Sequence, residues 1–186
     1  MKRIFDLTVA IVLLIFSIFP IFIIALMVKL TSKGPVLFWS DRVGINNSIF
    51  KMPKFRTMRL DTPAVATHLL RNADTYLTPI GGFLRKSSLD ELPQLFNIIK
   101  GDMSFVGPRP ALFNQYDLIE LRTKKNVHAL IPGVTGWAQI NGRDNLSIPT
   151  KVEFDEYYLK NRSLILDFKI LLITLCKVIK KEGVSH

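Results

Sequence analysis

The first 33 residues follow a different pattern from the rest of the chain. From Leu7 to Val28 there are 22 residues without a charge, bounded by Lys2, Arg3 and Asp6 on one side and by Lys29 and Lys33 on the other. At about 1.5 Å per residue, a helix of that length crosses a hydrocarbon core about 30 Å thick. Two features complicate a simple crossing. Basic residues flank both ends, and positive charge favours the cytoplasmic side, so the two flanks pull the same way. Pro20 removes a backbone donor in mid-segment, with Ser17 three residues earlier to bond a freed carbonyl. A helix that bends at Pro20, dips into the bilayer and returns satisfies both flanks; a spanning anchor satisfies the length. These residues leave both readings open. A cleaved signal peptide fits poorly, because the run is too long and Ala25-Leu26-Met27 is not a small-residue cleavage site.

Gly34-Pro35 ends the apolar segment, and residues 34–186 then read as a single domain. Val36–Ser40 and Asn47–Met58 predict two strands around Gly44-Ile45-Asn46-Asn47, a β-hairpin. Thr62–Thr75 is polar, and Pro79 with Gly81-Gly82 leads a turn into Phe83-Leu84-Arg85. Helices are expected over Leu92–Lys100, stopped by Gly101, and over Ala111–Val127, opened by Pro110. Ile131–Asp144, with three glycines and an Asn141-Gly142 pair, reads as loop, short extended piece and tight turn. Glu153–Leu159 is amphipathic. Leu164–Lys181 is apolar over most of its circumference, with Asp167, Thr174, Lys177 and Lys181 in one stripe. It suits either a membrane-interface helix or a core helix with a basic end. The fold class expected is α+β, mainly helical: a membrane helix over 1–33 and a catalytic domain over 34–186 holding a small β-hairpin and amphipathic interfacial helices.

Charge sharpens this picture. The chain carries 25 basic and 15 acidic residues, a net +10, with 48% hydrophobic residues. That combination fits an anionic membrane surface. A nucleic-acid platform is disfavoured, since no stripe of interleaved basic and aromatic residues is present. About 150 residues outside the apolar segment suffice for one compact core. The lone Cys176 permits no internal disulfide, and His68, His128 and His186 lack zinc-ligand spacing. No Walker loop or G-x-G-x-x-G occurs, so no glycine-rich nucleotide cradle is expected.

Candidate chemistry concentrates in Ser87–Pro110. Ser88-Leu89-Asp90-Glu91 matches a capping box, although Pro93 disfavours helix at Leu92 and would shift the regular start to itself. Either way both carboxylates meet the positive end of a helix dipole. As plain helix caps they are ordinary. Their neighbours suggest more. Adjacent residues point about 100° apart on a helix, so Asp90 and Glu91 cannot share a proton and need separate tasks. One could attack phosphorus while the other holds a metal or accepts a proton. Mg²⁺ takes one or two carboxylates plus substrate phosphates. Cations for developing phosphate charge are available at Lys54, Arg56, Arg85, Arg109 and Arg143, Arg109 being stiffened between Pro108 and Pro110. Singly, each of these basic residues reads equally as solvated surface. Trp137 and Gln139 could stack on and hydrogen-bond a base, whereas the plainer reading is a core Trp on a short strand.

These motifs in order resemble the bacterial sugar transferase family, the small monotopic polyprenol-phosphate phosphoglycosyl transferases. The match runs through Lys54–Met58 (KFRTM), Leu84–Asn97 (LRKSSLDELPQLFN), Gly101–Pro110 (GDMSFVGPRP), Pro132–Asp144 (PGVTGWAQINGRD) and Glu153–Asp167. It departs at Ser40-Asp41, where the family usually shows Gln-Glu. The resemblance implies transfer of phospho-sugar from a UDP-sugar to undecaprenyl phosphate with release of UMP, requiring Mg²⁺. Asp90 matches the nucleophile and Glu91 its partner in the dyad, with both as metal-ligand candidates. It further implies a re-entrant N-terminal helix hairpin at the cytoplasmic face of the bacterial inner membrane. Membrane lipid and downstream glycosyltransferases are the implied partners. The chain looks like the minimal form, without the four extra membrane helices of larger members. It is most similar to members that begin N-linked glycan assembly with diacetylbacillosamine phosphate; galactose and other UDP-sugars of polysaccharide assembly are the alternative. Two other classes remain, a basic membrane-surface binding module and a scaffold that recruits glycan-building enzymes. UMP release separates them from a transferase.

Overall fold

The computed structural model describes residues 1–63, 73–142 and 145–180. The apolar segment forms one helix, α1 (Lys2–Thr31), which continues through Pro20, so a hairpin is not shown as two separate arms. Its ends are packed and its middle is bare. Near the start, Ala10 joins Phe50, Met52, Leu95, Ile98 and Met103 in a core cluster. Near the finish, Ile24 and Val28 pack with Phe55 and Leu84. Between them Phe16, Phe19 and Phe22 are 77%, 71% and 65% exposed.

Polar anchors reinforce both ends. The Asp6 carboxylate is buried, accepting bonds from Ser104 Oγ at 2.8 Å and the Phe105 amide at 3.4 Å. Arg3 donates to the carbonyls of Ile98 and Ile99 at 2.5 and 2.7 Å. At the other end the buried Arg56 guanidinium donates to the Ser32 carbonyl at 2.9 Å and to that of Lys33. Cations suit helix C-termini, where carbonyls lack partners.

The expected hairpin is present as β1 (Leu37–Val43) and β2 (Ile49–Phe55), antiparallel from Leu37↔Phe55 to Val43↔Ile49. Its turn uses left-handed Asn46 and Asn47, a conformation that asparagine tolerates. A short helix α2 (Gly81–Lys86) follows. The helix expected over Leu92–Lys100 is instead a 3₁₀ segment, Leu89–Gln94, leading into α3 (Leu95–Lys100), with Pro93 inside the tighter turn. Gly101 ends α3 at φ 102°, as the sequence suggested.

Next comes β3 (Ser104–Val106), parallel to β4 (Gly133–Thr135). Gly133 is required there, since a Cβ would fall on the Gly107 backbone. The helix expected from Ala111 is shorter, α4 (Tyr116–Lys124), because Ala111 and Leu112 lie extended against β1. Asn126, left-handed, closes its far end. After β4, Trp137 opens the four-residue helix α5 (Trp137–Ile140) instead of lying on a core strand, and its ring stacks on Tyr157 at 5.1 Å. Of the polar Thr62–Thr75 stretch, residues 64–72 lie outside the described residues, as does Asp144.

Two longer helices finish the fold, α6 (Ile148–Asn161), capped by Ser147, and α7 (Leu164–Lys180). The polar stripe of α7 faces inward. Asp167 is buried, bonded to Lys2 at 2.7 Å and to Tyr158 Oη at 2.6 Å. Thr174 meets Thr135 at 2.7 Å, and Lys177 donates to the Ile140 carbonyl at 2.6 Å. Ile165, Phe168, Leu172 and Leu175 are exposed on the opposite, outer face. Phe168 also makes an edge contact with Phe5 of α1 at 5.1 Å, so the apolar surfaces of the two helices adjoin. Lys181 lies outside the described residues.

One buried ion pair ties α4 to α6. Arg122 grips Asp155 through Nε at 3.0 Å and a terminal nitrogen at 2.6 Å, and its third nitrogen holds the Arg109 carbonyl at 2.8 Å. Removing one partner strands a buried charge. Asp155→Ala is therefore expected to cost about 3–5 kcal/mol in thermal or chemical melts, whereas Arg122→Met with Asp155→Leu costs less. A double variant no more stable than Asp155→Ala would contradict this.

Candidate active site

The two acids sit on the 3₁₀ segment between the hairpin and the β3–β4 pair. Ser88 is left-handed at φ 56° and its side chain makes no capping bond, so the expected capping box is not formed. The Glu91 amide instead bonds the Ser88 carbonyl at 3.2 Å, as a 3₁₀ turn requires. Adjacent residues on such a turn diverge, and the two carboxylates enter different environments.

Asp90 is 8% exposed. Burial pushes its carboxyl up to about 6, with Glu91 adding repulsion while Lys54 and Arg85 oppose the rise. Glu91 lines a groove of about 290 Å³ that Asp90 does not itself line. Lys54 Nζ stands 2.6 Å from a Glu91 oxygen and Arg109 3.8 Å from the same oxygen.

Lys54, Arg85 and Arg109 of the expected cations thus surround the acids. Arg85 is steadied by Thr57 Oγ1 at 3.2 Å and Met58 Sδ at 3.4 Å, and its pKa is lowered, chiefly by burial, against the attraction of Asp90. Arg56 is placed elsewhere, its guanidinium committed to the end of α1. Arg143 lies outside the described residues.

Arg42, absent from the sequence-based set, completes the frame. It bonds Ser40 Oγ at 3.0 Å and the Pro110 carbonyl at 3.2 Å. Its pKa is lowered to about 10, first by burial and then by Arg109, against the pull of Glu91. The hairpin register explains its place: Arg42↔Phe50, Ser40↔Met52 and Phe38↔Lys54 put Arg42 and Lys54 on one face. Strand alternation is the signal in the sequence that could have found it. The frame gathers cations around the two acids, an arrangement able to bind phosphate oxygens.

Two adjacent carboxylates without a third acid make an incomplete cage, and no group of three candidate ligands occurs among the described residues. That donor set fits an ion such as Mg²⁺, which completes its shell with water and substrate phosphate.

The bacterial sugar transferase family model matches residues 1–181. The chain belongs to this family. It is 46% identical to the Bacillus subtilis protein named "Uncharacterized sugar transferase EpsL", over 100% of this chain and 91% of the relative. It is 42% identical to the Escherichia coli UDP-glucose:undecaprenyl-phosphate glucose-1-phosphate transferase over 95% of this chain. It is 37% identical to the Salmonella typhimurium undecaprenyl-phosphate galactose phosphotransferase over 98%. The chain spans only 40% and 41% of those two longer proteins. Family membership and the apolar α1 mark this sugar transferase as membrane-associated.

Burial of Asp90 has a measurable cost. The folded state holds this proton more tightly than the unfolded chain, so this carboxyl favours folding most at low pH, and that support is lost as pH rises through about 6. In EDTA at pH 7.5, Asp90→Asn is expected to raise stability by up to about 3 kcal/mol, the gain shrinking as pH falls towards 4. A variant that melts below the native protein at pH 7.5 would refute the buried, under-compensated carboxylate.

Proposed function

We propose that the chain moves a sugar 1-phosphate from a UDP-sugar to undecaprenyl phosphate and releases UMP, by two displacements at one phosphorus. The carrying observation is the desolvated Asp90 carboxylate beside Glu91 within the frame of Lys54, Arg85, Arg42 and Arg109. In the first step an Asp90 oxygen bonds to the sugar-bearing phosphorus, the bond to the bridging oxygen breaks, and UMP leaves with that electron pair. In the second, a phosphate oxygen of the polyprenol attacks the same phosphorus, freeing the Asp90 carboxylate and leaving a polyprenol diphosphate sugar. Arg109 and Arg42 bind and orient the diphosphate. Lys54 holds Glu91 in place at the groove through their 2.6 Å ion pair. Neutralisation of phosphate charge is what Mg²⁺ supplies when held by Asp90 and Glu91.

Arrangement at a bilayer follows from α1 and α7. Both ends of α1 dock on the domain while its aromatic middle is bare, which supports a helix that enters and leaves by the cytoplasmic face. The outer face of α7 would rest in the same interface. The reactive phosphorus then lies at headgroup depth, where a soluble nucleotide and a lipid phosphate meet. The names of the relatives carry glucose and galactose, which favours a UDP-hexose of polysaccharide assembly over diacetylbacillosamine.

With sugar-labelled UDP-glucose, UDP-galactose or UDP-diacetylbacillosamine and no polyprenol phosphate, about one UMP per enzyme is expected, with label on the protein at residue 90. Asp90→Asn should yield neither, and Glu91→Gln should slow the burst on the order of 100-fold. Label on the Asp90→Asn protein, or label mapped to Glu91 in the native one, would overturn the assignment. For topology, Cys176→Ser chains with a cysteine appended before Met1 are expected to escape an impermeant thiol reagent in intact cells; labelling from outside restores the spanning arrangement.

A further inference from the structure

The groove beside the acids contains buried polar atoms that no group among the described residues satisfies. Gln94 Nε2, Gln139 Nε2 and Gln139 Oε1 are buried without hydrogen-bond partners, and both residues line the groove. Gln94 is 3% exposed. Leaving such groups unpaired costs about 1–3 kcal/mol each, so their place in an open groove points to a ligand that pairs them. The rest of the wall is largely apolar, including Leu92, Leu95, Phe105, Val134 and Ile140, which suits a flat ring better than a hydrated sugar. Glu91 and Arg109 line the same groove, so a ring seated there carries its phosphates towards Glu91 and Arg109.

We propose that this groove holds the pyrimidine ring of the nucleotide donor, with Gln139 and Gln94 reading its hydrogen-bonding edge; the inference rests on the UDP-sugar reading above. Uracil offers acceptor, donor and acceptor at O2, N3–H and O4. The groove offers the complement, two amide donors and one amide acceptor. Gln139 Oε1 accepts from N3–H while its Nε2 donates to one carbonyl, and Gln94 Nε2 donates to the other. Gly136 makes room for this amide, since a Cβ there would stand 2.8 Å from Gln139 Oε1. Turning over the Gln139 amide would also suit cytosine, so the N3 position, rather than the exocyclic group, is the decisive one.

The test measures equilibrium binding of UMP and of 3-methyl-UMP, which lacks the N3 proton, to the full chain in detergent. The native protein is expected to prefer UMP by at least about tenfold. Gln139→Leu should lose most of that preference while keeping its melting temperature within a few degrees, and Gln94→Met should weaken UMP while keeping a residual preference. Equal binding of the two nucleotides by the native protein overturns the proposal, even if sugar transfer proceeds. Selective UMP binding with no transfer to undecaprenyl phosphate sustains the base site and defeats the transferase reading instead. If Gln139→Leu alters the choice among UDP-sugars but leaves UMP affinity untouched, the groove holds the sugar and the proposal fails.

Discussion

The structure depends on fixing an apolar helix to a polar domain at both of its ends. Hydrophobic contact alone would let α1 slide, because one aliphatic surface resembles another. Buried polar groups have no such latitude. Asp6 must find Ser104, Arg3 must find the last carbonyls of α3, and Arg56 must find the carbonyls ending α1. Each unmade bond would strand a desolvated group, so the register of helix against domain is set. Asp6 reaches β3, which leads into the loop of Arg109, while the Arg56 end abuts the cluster of Phe55 and Leu84. The helix is thereby tied to the elements that carry the acids and the cations facing them.

The same logic operates in reverse at the candidate site. Where the fold needs rigidity, polar groups are paired: Arg122 with Asp155 and the Arg109 carbonyl, Asp167 with Lys2 and Tyr158. Around the groove, pairing is incomplete. Asp90 is desolvated beyond what Lys54 and Arg85 offset, and the Gln94 amide nitrogen and both polar atoms of the Gln139 amide have no partner among the described residues. Stability given up at these positions is stability that a bound ligand can restore.

Elements were legible in the chain where a local pattern of spacing or turn residues marks them and illegible where distant segments compete for the backbone. The hairpin, the stop at Gly101 and the helix over Glu153–Leu159 belong to the first kind. The helix expected from Ala111 belongs to the second, because its first residues are recruited by β1, a contact between segments about 70 positions apart in the chain. The stripe of α7 was visible, yet its direction was not: a periodicity marks two faces without saying which one meets the protein. For the same reason Arg56, expected among the phosphate-binding cations, lies at a helix end, while Arg42, given no such part, stands near Arg109 and Glu91. Both are arginines on or beside the hairpin, and only packing shows that one closes a helix end while the other faces Arg109.

By itself the sequence determined the long apolar segment, the basic surplus, the adjacent carboxylates and the ordered motifs that identify the family. These are properties of composition and spacing, which survive without coordinates. Tertiary structure alone decided how far each carboxylate is removed from water, which cations stand opposite them, and which polar atoms remain unpaired in the groove. Desolvation and hydrogen-bond satisfaction depend on neighbours brought together from distant positions, and no local pattern of residues encodes them.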